Sequence, residues 1–127
     1  MQKELPQIIK DVGFDFSWDE GKVWKLDEPI SEMDIKELEW HFDIPFWCEN
    51  GDYNLTPGVV INNPKKHKKE YERIMLCDLK YPLDIMENNG KWLLLDGLHR
   101  LTKAYIQGNK TVVVRKIPRE RIPEILH

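Results

Sequence analysis

Residues 91–109 predict a strand, a tight turn and a helix in immediate succession, and no other stretch constrains the fold as strongly. The apolar run Trp92-Leu93-Leu94-Leu95 precedes Asp96-Gly97-Leu98-His99-Arg100. Helix-forming residues then follow from Leu101 to Gln107, and Gly108-Asn109 ends them. A glycine at such a turn allows backbone conformations that are closed to other residues. We therefore expect a helix that begins directly behind a buried strand.

A helix start of this composition is typical of a binding site for an anion. The first backbone N–H groups of a helix have no partner within the helix, and the helix dipole attracts negative charge. Gly97 would let a ligand approach the backbone closely, and the planar guanidinium of Arg100 suits phosphate or carboxylate. We predict a phosphate-binding turn made of Gly97, Leu98, His99 and Arg100.

Each residue of this turn also has a structural explanation. An ordinary strand-to-helix turn would use Gly97, and Arg100 could form an ion pair with Asp96 or Asp84. His99 could contact a phosphate, act as an acid or base near neutral pH, or be a hydrogen-bonded structural residue. Asp96 could accept a substrate proton or hold Mg²⁺, or it could cap the helix. Asp96 and His99 are therefore our first catalytic candidates.

The segments beside the turn predict a small mixed domain. Asn88-Asn89-Gly90 is a strong hairpin signal between strands at Leu83–Glu87 and Lys91–Leu95. The β-branched segment Thr111–Ile117 predicts another strand. A chain of 127 residues is long enough for one hydrophobic core but not for two. We predict an α+β fold, a small mixed sheet with flanking helices, as a single domain over residues 1–127.

Weaker signals describe the first third of the chain. We expect a weak helix from Pro6 to Val12 and a short alternating strand at Val23–Leu26. The sequence Asp34-Ile35-Lys36-Glu37 predicts a capping box that opens a helix, and Pro45 would end that helix at Ile44. The buried side of this helix would consist of Ile35, Leu38 and Phe42.

Three further helix signals follow. Thr56-Pro57 and Asn63-Pro64 each place an N-cap residue before a proline at the first helical position. The second of these helices would run to about Cys77. A tail helix would start at Arg119 and be interrupted by Pro123.

Composition indicates a soluble protein of a reducing compartment. Hydrophobic residues make up 41% of the chain and charged residues 32%, and no apolar run approaches the length of a membrane span. The N-terminus has no signal-peptide core. Cys48 and Cys77 lie in no zinc or redox spacing, so we expect two free thiols in the cytoplasm, although one disulfide is also compatible with the sequence. We predict no structural metal site.

The net charge of −3 hides a division along the chain. Residues 1–60 contain 5 Lys and Arg against 14 Asp and Glu, a net charge of −9, and residues 61–127 carry +6. This division favours either a polarised surface that meets an anion or attraction between the two halves.

A second cluster of interest is Trp40-His41-Phe42-Asp43-Ile44-Pro45-Phe46-Trp47. If this segment folds against the glycine turn, Trp47 could stack on a base, and His41 or Asp43 could act on a substrate. The alternative is core packing, in which a hydrogen bond between His41 and Asp43 fixes the loop.

The basic run Lys65-Lys66-His67-Lys68-Lys69 is a candidate for contact with nucleic acid. No aromatic residues alternate with these lysines, so a solvated first turn of a helix explains the run as well.

The order of these motifs resembles the ParB/sulfiredoxin superfamily over roughly residues 79–118. The resemblance depends on Tyr81-Pro82-Leu83-Asp84-Ile85, the hairpin, Asp96-Gly97-Leu98-His99-Arg100, Ala104 and Val112-Val113-Val114. In that superfamily the glycine turn binds nucleotide phosphates, and members include chromosome-partitioning CTPases, sulfinic acid reductases and ADP-dependent free-serine kinases. The resemblance implies a nucleotide ligand, ATP, ADP or CTP, together with Mg²⁺.

Departures from the superfamily narrow the implied activity. Sulfiredoxins have a catalytic cysteine where this chain has Leu98, so a reductase of that type is excluded. Partitioning proteins have a glutamate there, followed by two arginines, in place of Leu98, His99 and Arg100, so their CTP hydrolysis is not implied. The serine kinases are similar in having histidine before arginine, but the region of their acidic base does not align with this chain.

Two hypotheses follow from the sequence. The first is a nucleotide-dependent enzyme, a small-molecule phosphotransferase or nucleotide hydrolase, in which Asp96 or a carboxylate from residues 28–43 activates the acceptor. Its ligand would be a nucleotide or a phosphorylated small molecule. The second is a non-catalytic ParB-like module that binds a protein or nucleic acid. The oligomeric state stays open in both.

Overall fold

A computed structural model describes residues 7–14, 16–49, 51 and 53–127, and it has the predicted α+β architecture. Four strands form one sheet in the order β1-β4-β2-β3, with helices packed around it. The strands are β1 (Ile30–Asp34), β2 (Leu83–Asn88), β3 (Lys91–Asp96) and β4 (Thr111–Lys116). The α-helices are α1 (Gln7–Asp11), α2 (Glu20–Trp24), α3 (Pro57–Asn62), α4 (Lys68–Leu76), α5 (Leu98–Ile106) and α6 (Ile122–Ile125). Short 3₁₀ helices cover Ile35–Glu37, Glu39–Asp43 and Arg119–Arg121.

The hairpin of β2 and β3 confirms the signal at Asn88-Asn89-Gly90. Asn89 and Gly90 have φ angles of 52° and 77°, and Asn88 pairs with Lys91 across the turn. Positive φ at both central residues produces the turn whose twist matches that of two antiparallel strands. Asn and Gly tolerate this conformation better than other residues, so the register of the hairpin is set locally.

β4 lies inside the sheet, between β1 and β2. It pairs in parallel with β2 and antiparallel with β1. The predicted strand at residues 111–117 is therefore confirmed, whereas β1 was not predicted. β1 is an edge strand in which Met33 alone is buried, so its sequence lacks the alternation that identifies a half-buried strand.

The strand predicted at Val23–Leu26 is wrong. Val23 and Trp24 belong to α2 and Lys25 is its C-cap, because the Asp19 carboxylate accepts a hydrogen bond from the Lys22 N–H at 3.2 Å and caps the start of the helix. Val23 is fully buried and Trp24 is largely exposed, as a helix of one turn with a single inward residue requires. Alternation over four residues could not distinguish the two structures.

The segment after β1 matches its prediction in burial but not in helix type. The Asp34 carboxylate caps by accepting from the Lys36 N–H at 2.9 Å, and the chain forms two 3₁₀ helices instead of one α-helix. The predicted inward residues Ile35, Leu38 and Phe42 are all buried, and Ile44 ends the second 3₁₀ helix as predicted.

The remaining helix signals have mixed outcomes. Thr56 caps α3 through a 3.2 Å hydrogen bond from the Val59 N–H, as predicted. The helix start at Asn63-Pro64 is wrong, because Asn63 ends α3 and a turn delays α4 to Lys68. Pro123 does not interrupt the tail but lies in the first turn of α6.

The helix predicted near the N-terminus is confirmed as α1, and the predicted first residue, Pro6, lies outside the described part of the chain. The longest described helices, α4 and α5, have nine residues each. Within the described residues, no helix has the length and apolarity that crossing a bilayer requires.

Both faces of the sheet are covered, and this holds the end of β3 in place. One face packs Leu94 with residues of α5 and the 3₁₀ segment, and the other packs Leu95 with α2 and α6. Side chains also occupy backbone groups of edge strand β3. The Trp18 Nε1–H donates to the Leu95 carbonyl at 2.9 Å, and the Leu94 N–H donates to His41 Nε2 at 3.0 Å. The chain therefore leaves β3 from a rigid position.

Candidate functional site

The turn between β3 and α5 has the geometry that the sequence predicts, with an earlier helix start. β3 ends at Asp96, Gly97 has φ 113° and ψ 22°, and α5 begins at Leu98 instead of Leu101. A Cβ atom on Gly97 would lie 2.6 Å from Leu83 Cδ2 and 3.0 Å from an Arg100 guanidinium nitrogen. Protein atoms fill the space beside Gly97, so backbone conformation and packing explain this glycine.

The start of α5 offers backbone donors. The Leu101 N–H closes the first helical turn on the Gly97 carbonyl at 2.8 Å. Within the described residues, no acceptor engages the N–H groups of Leu98, His99 and Arg100. The interpretation of Asp96 as a helix cap is wrong, because its carboxylate accepts from other side chains and not from these amides. Three donors at the positive end of the helix dipole are thus available to an anion.

Arg100 forms an ion pair with Asp96, one of the two partners considered from the sequence. Its guanidinium donates to Asp96 Oδ2 at 2.9 Å, and the two side chains are 16% and 15% exposed. Asp84 is not its partner, because Asp84 pairs with Arg115 at 2.6 Å. A guanidinium carries five N–H donors, so the bond to Asp96 leaves several for a ligand.

Glu20 joins Asp96 in an acidic pair that the sequence did not predict. Burial raises the pKa of the Glu20 carboxyl, and the charge of Asp96 and a hydrogen bond between the two carboxyls raise it further, while Arg100 lowers it. Glu20 is exposed as a residue, but its carboxyl is partly withdrawn from water beside Asp96. A carboxyl with a raised pKa, such as that of Glu20, is suited to general acid–base chemistry.

His99 is held from two sides. Its Nε2 lies 2.6 Å from Oε1 of the buried Glu70, and its ring stacks on Trp47 with centroids 4.7 Å apart and planes 20° from parallel. No hydrogen bond within the described residues engages His99 Nδ1. Glu70, which the sequence did not indicate as a site residue, thus orients a histidine that is 35% exposed.

Less of the Trp47 indole is accessible for base stacking than the prediction requires. Trp47 is only 8% exposed, and His99 covers one face of its indole. A base could use only the rest of the ring.

His41 is a structural residue. It is 1% exposed, its Nδ1–H donates to the Leu38 carbonyl at 2.8 Å, and its Nε2 accepts from the Leu94 N–H. Burial lowers the pKa of His41 to about 4, so the ring is neutral at physiological pH. Both nitrogens are occupied, which leaves none for a substrate. The predicted hydrogen bond between His41 and Asp43 is wrong, and Asp43 is exposed and outside the pocket described next.

The turn opens into a cavity of about 500 Å³, here called the α5 pocket. Its lining combines the polar residues of the turn and Glu20 with aromatic and aliphatic side chains. The polar part of the lining is Glu20, Asp96, His99 and Arg100, beside Gly97, and the aromatic part is Phe14, Trp18, Phe46, Trp47 and Tyr53. A largely apolar cavity of this size with a few convergent polar groups is typical of a small-molecule site.

Cys77 also lines the α5 pocket without being activated. Its thiol donates to the Ile74 carbonyl at 2.9 Å, and burial raises the pKa of the thiol. A thiol held in its protonated form is a weak nucleophile. Cys48 and Cys77 are both free.

The basic run is divided between a turn and a helix: Lys65, Lys66 and His67 lie in the turn before α4, and Lys68 and Lys69 are the first residues of α4, so the predicted helix start is confirmed only for the last two. Lys65, Lys66, Lys68 and Lys69 are exposed, whereas His67 is buried and lies 2.7 Å from Glu49 through Nδ1. The lysines surround an anchored histidine and are separate from the α5 pocket.

No protein-family model, curated protein or solved structure matches this chain. The resemblance to the ParB/sulfiredoxin superfamily therefore stays a prediction, and the function has to be argued from the geometry of the site.

Proposed function

We propose that the α5 pocket binds a nucleotide and supports phosphoryl transfer to a small molecule or to water. One observation carries this proposal: three unpartnered N–H groups at the start of α5 meet a cavity with an aromatic wall. The amides of Leu98, His99 and Arg100 would hold phosphate oxygens, and the guanidinium of Arg100 would neutralise their charge. The aromatic side chains that line the pocket would contact the base or the sugar.

The carboxylates of the pocket determine which counter-ion would bind together with the phosphates. Glu20 and Asp96 place negative charge beside the helix start, and this would repel a free polyphosphate. Mg²⁺ in proteins is commonly held by one or two carboxylates together with phosphate oxygens. Among the described residues no group of three metal-ligating side chains exists. Asp96 would therefore hold the ion together with phosphate oxygens, and Glu20 would remain available as a base. The ion would supply charge neutralisation between the phosphates and the carboxylates.

The same side chains can move a proton. The Glu20 carboxylate can accept the proton of an attacking hydroxyl or water, since its raised pKa improves it as a base. His99, oriented by Glu70, presents Nδ1 as a hydrogen-bond partner for a phosphate oxygen or a leaving group. Phosphoryl transfer depends mainly on such positioning and charge stabilisation.

A thermal-shift panel of nucleotides with and without Mg²⁺ tests this proposal. We expect stabilisation by at least one nucleotide, larger when Mg²⁺ is present. No stabilisation by any nucleotide in either condition would refute the proposal. If a nucleotide binds, hydrolysis is measured as release of phosphate, and transfer is measured as formation of the phosphorylated acceptor.

The Arg100→Ala variant tests the assigned role of the guanidinium. Loss of charge-assisted hydrogen bonds should weaken nucleotide binding by about tenfold or more. Arg100→Lys should fall between Arg100→Ala and the wild type, because lysine keeps the charge but not the planar fork. Lys110→Ala is the matched control, since Lys110 is exposed and lines neither this pocket nor its neighbours. Unchanged affinity in Arg100→Ala would contradict the role.

A second candidate function is a non-catalytic module that binds nucleic acid. It is supported by the four exposed lysines around His67 and by the carboxylate partners that Arg100 and His99 already have. Replacing Lys65, Lys66, Lys68 and Lys69 with glutamine should then reduce the salt dependence of DNA or RNA binding. Binding that is insensitive to these lysines would remove this candidate.

A further inference from the structure

A second cavity, of about 660 Å³, shares part of its wall with the α5 pocket. We call it the Trp24 pocket. Asp96, Arg100 and Cys77 line both cavities, and the other walls are different. The Trp24 pocket is completed by Trp24, Asp78, Tyr81, Pro82, Asp84 and Arg115. Neither the phosphate-binding turn nor the proposed transfer uses these additional residues.

Two aromatic side chains that line only the Trp24 pocket are unusually exposed. Trp24 is 60% exposed and Tyr81 is 55% exposed, although large aromatic residues are normally well covered. The Trp24 Nε1–H donates to Asp96 Oδ2 at 2.6 Å, which fixes the indole against the shared wall. The Lys80 ammonium lies 5.1 Å from the centroid of the Tyr81 ring, so this ring already attracts a cation.

The charges of the wall favour a cation over an anion. Three carboxylates, Asp78, Asp84 and Asp96, face two guanidiniums, those of Arg100 and Arg115. Each guanidinium is already bonded to a carboxylate, Arg100 to Asp96 and Arg115 to Asp84. The remaining carboxylate, Asp78, accepts a hydrogen bond from the Lys80 N–H at 2.9 Å, and its charged partner, the exposed Lys80 ammonium, is 3.6 Å away.

The guanidinium of Arg115 is also committed to the backbone. It donates to the carbonyls of Val23 and Leu26, so few of its donors remain for a ligand. Burial raises the pKa of the Asp84 carboxyl, and the nearby charge of Asp96 raises it as well, although Arg115 lowers it. The lining carries three carboxylates against two guanidiniums, so a bound anion would meet repulsion.

We propose that the Trp24 pocket binds a small organic cation, a quaternary or protonated amine. The ring faces of Trp24 and Tyr81 contact its alkyl groups and its charge, and Asp78 supplies the nearest weakly compensated carboxylate. The cation would occupy a different cavity from the nucleotide, although Asp96, Arg100 and Cys77 line both.

Choline and its neutral isostere dimethylbutanol, in which carbon replaces the charged nitrogen, are the test ligands. Isotope-labelled protein is titrated with each, and the indole N–H signal of Trp24 is followed after assignment with Trp24→Phe. We expect saturable shifts with choline and at least tenfold weaker binding of dimethylbutanol. Equal binding of the two molecules, or no shift of the Trp24 signal with choline, would overturn the proposal, as would displacement of choline by acetate or phosphate.

Variants separate the pocket from general effects on the fold. Trp24→Ala, on an exposed position, should weaken choline binding about tenfold, and Asp78→Asn should weaken it by a smaller factor. Tyr105→Ala is the matched control, because Tyr105 is a partly exposed aromatic residue outside the pocket. Tyr81→Ala provides a second measurement should Trp24→Ala unfold. Unchanged choline affinity in both aromatic variants would refute the assignment.

Discussion

Gly97 is subject to two independent constraints at one residue. Its φ of 113° lies in the region that favours glycine, and its Cα hydrogen faces Leu83 at a distance where a methyl group does not fit. The sequence indicated the first constraint, because a strand runs directly into a helix here. It could not indicate the second, because Leu83 reaches the turn only through pairing of β2 with β3.

Replacing Gly97 with alanine should therefore destabilise the protein strongly. We expect a loss of about 2 kcal/mol or more, since backbone strain and the contact with Leu83 act together. Gly108→Ala, at the other end of α5, is the matched control. It has a φ of 77° but open space around the added Cβ, so it should cost only about 1 kcal/mol. Urea unfolding measures both, and equal losses would contradict the steric part of the explanation.

His41 shows why a histidine beside aromatic residues is ambiguous in sequence. Its role depends on the Leu94 N–H, which belongs to a strand 53 positions later in the chain. Histidine is a common catalytic residue, but this buried neutral ring bridges two backbone groups and therefore has no free nitrogen.

The lowered pKa of His41 makes stability depend on pH. Between about pH 6.5 and pH 4 the unfolded chain binds a proton at His41 that the folded protein does not bind. The stability present above pH 6.5 is therefore lost as the pH falls through this window, by about 3 kcal/mol. The raised pKa values of Glu20 and Asp84 act in the opposite direction, so the wild type has to be compared with a variant.

His41→Gln is that variant, because its amide offers a donor and an acceptor but does not titrate. Urea unfolding at several pH values should show the difference between the two proteins changing by about 3 kcal/mol across the window. A difference that stays constant with pH would contradict the assigned protonation state.

At the scale of elements, the predictions were right where the signal lies in residues that are close together in sequence. The hairpin at Asn89-Gly90 and the cap at Thr56 are set by residues that are neighbours in sequence. β1 is paired only with β4, some 80 positions away, and exposes four of its five residues. Its sequence therefore contains little that distinguishes it from a loop.

The cap of α3 allows a direct measurement. Thr56→Ala removes the acceptor for the Val59 N–H and should cost about 1 kcal/mol. Thr56→Ser retains the hydroxyl and should stay within a few tenths of a kcal/mol of the wild type. If serine costs as much as alanine, the methyl group of Thr56 and not the hydrogen bond stabilises this end of the helix.

At the scale of the whole molecule, the candidate site combines residues that the sequence keeps far apart. The turn itself was predicted, since Asp96 to Arg100 are contiguous. Glu20 and Glu70 were not, because neither belongs to a motif and each reaches the turn only in the folded chain, Glu20 from α2 and Glu70 from α4. The charged halves meet through pairs such as Arg121 with Glu28 at 3.1 Å, but Arg100 finds its carboxylate within its own half.

Asp96 and Arg100 line both pockets and therefore couple the binding of their two ligands. A ligand in one pocket that alters the charge or position of this ion pair changes the environment of a ligand in the other pocket. Thermodynamic linkage then requires the effect to be mutual: choline must change nucleotide affinity by the same factor by which the nucleotide changes choline affinity. Calorimetric titration of each ligand in the presence of the other measures this factor. A value of one would mean that the pair is a rigid partition, and any other value would make the domain a sensor of two molecules at once.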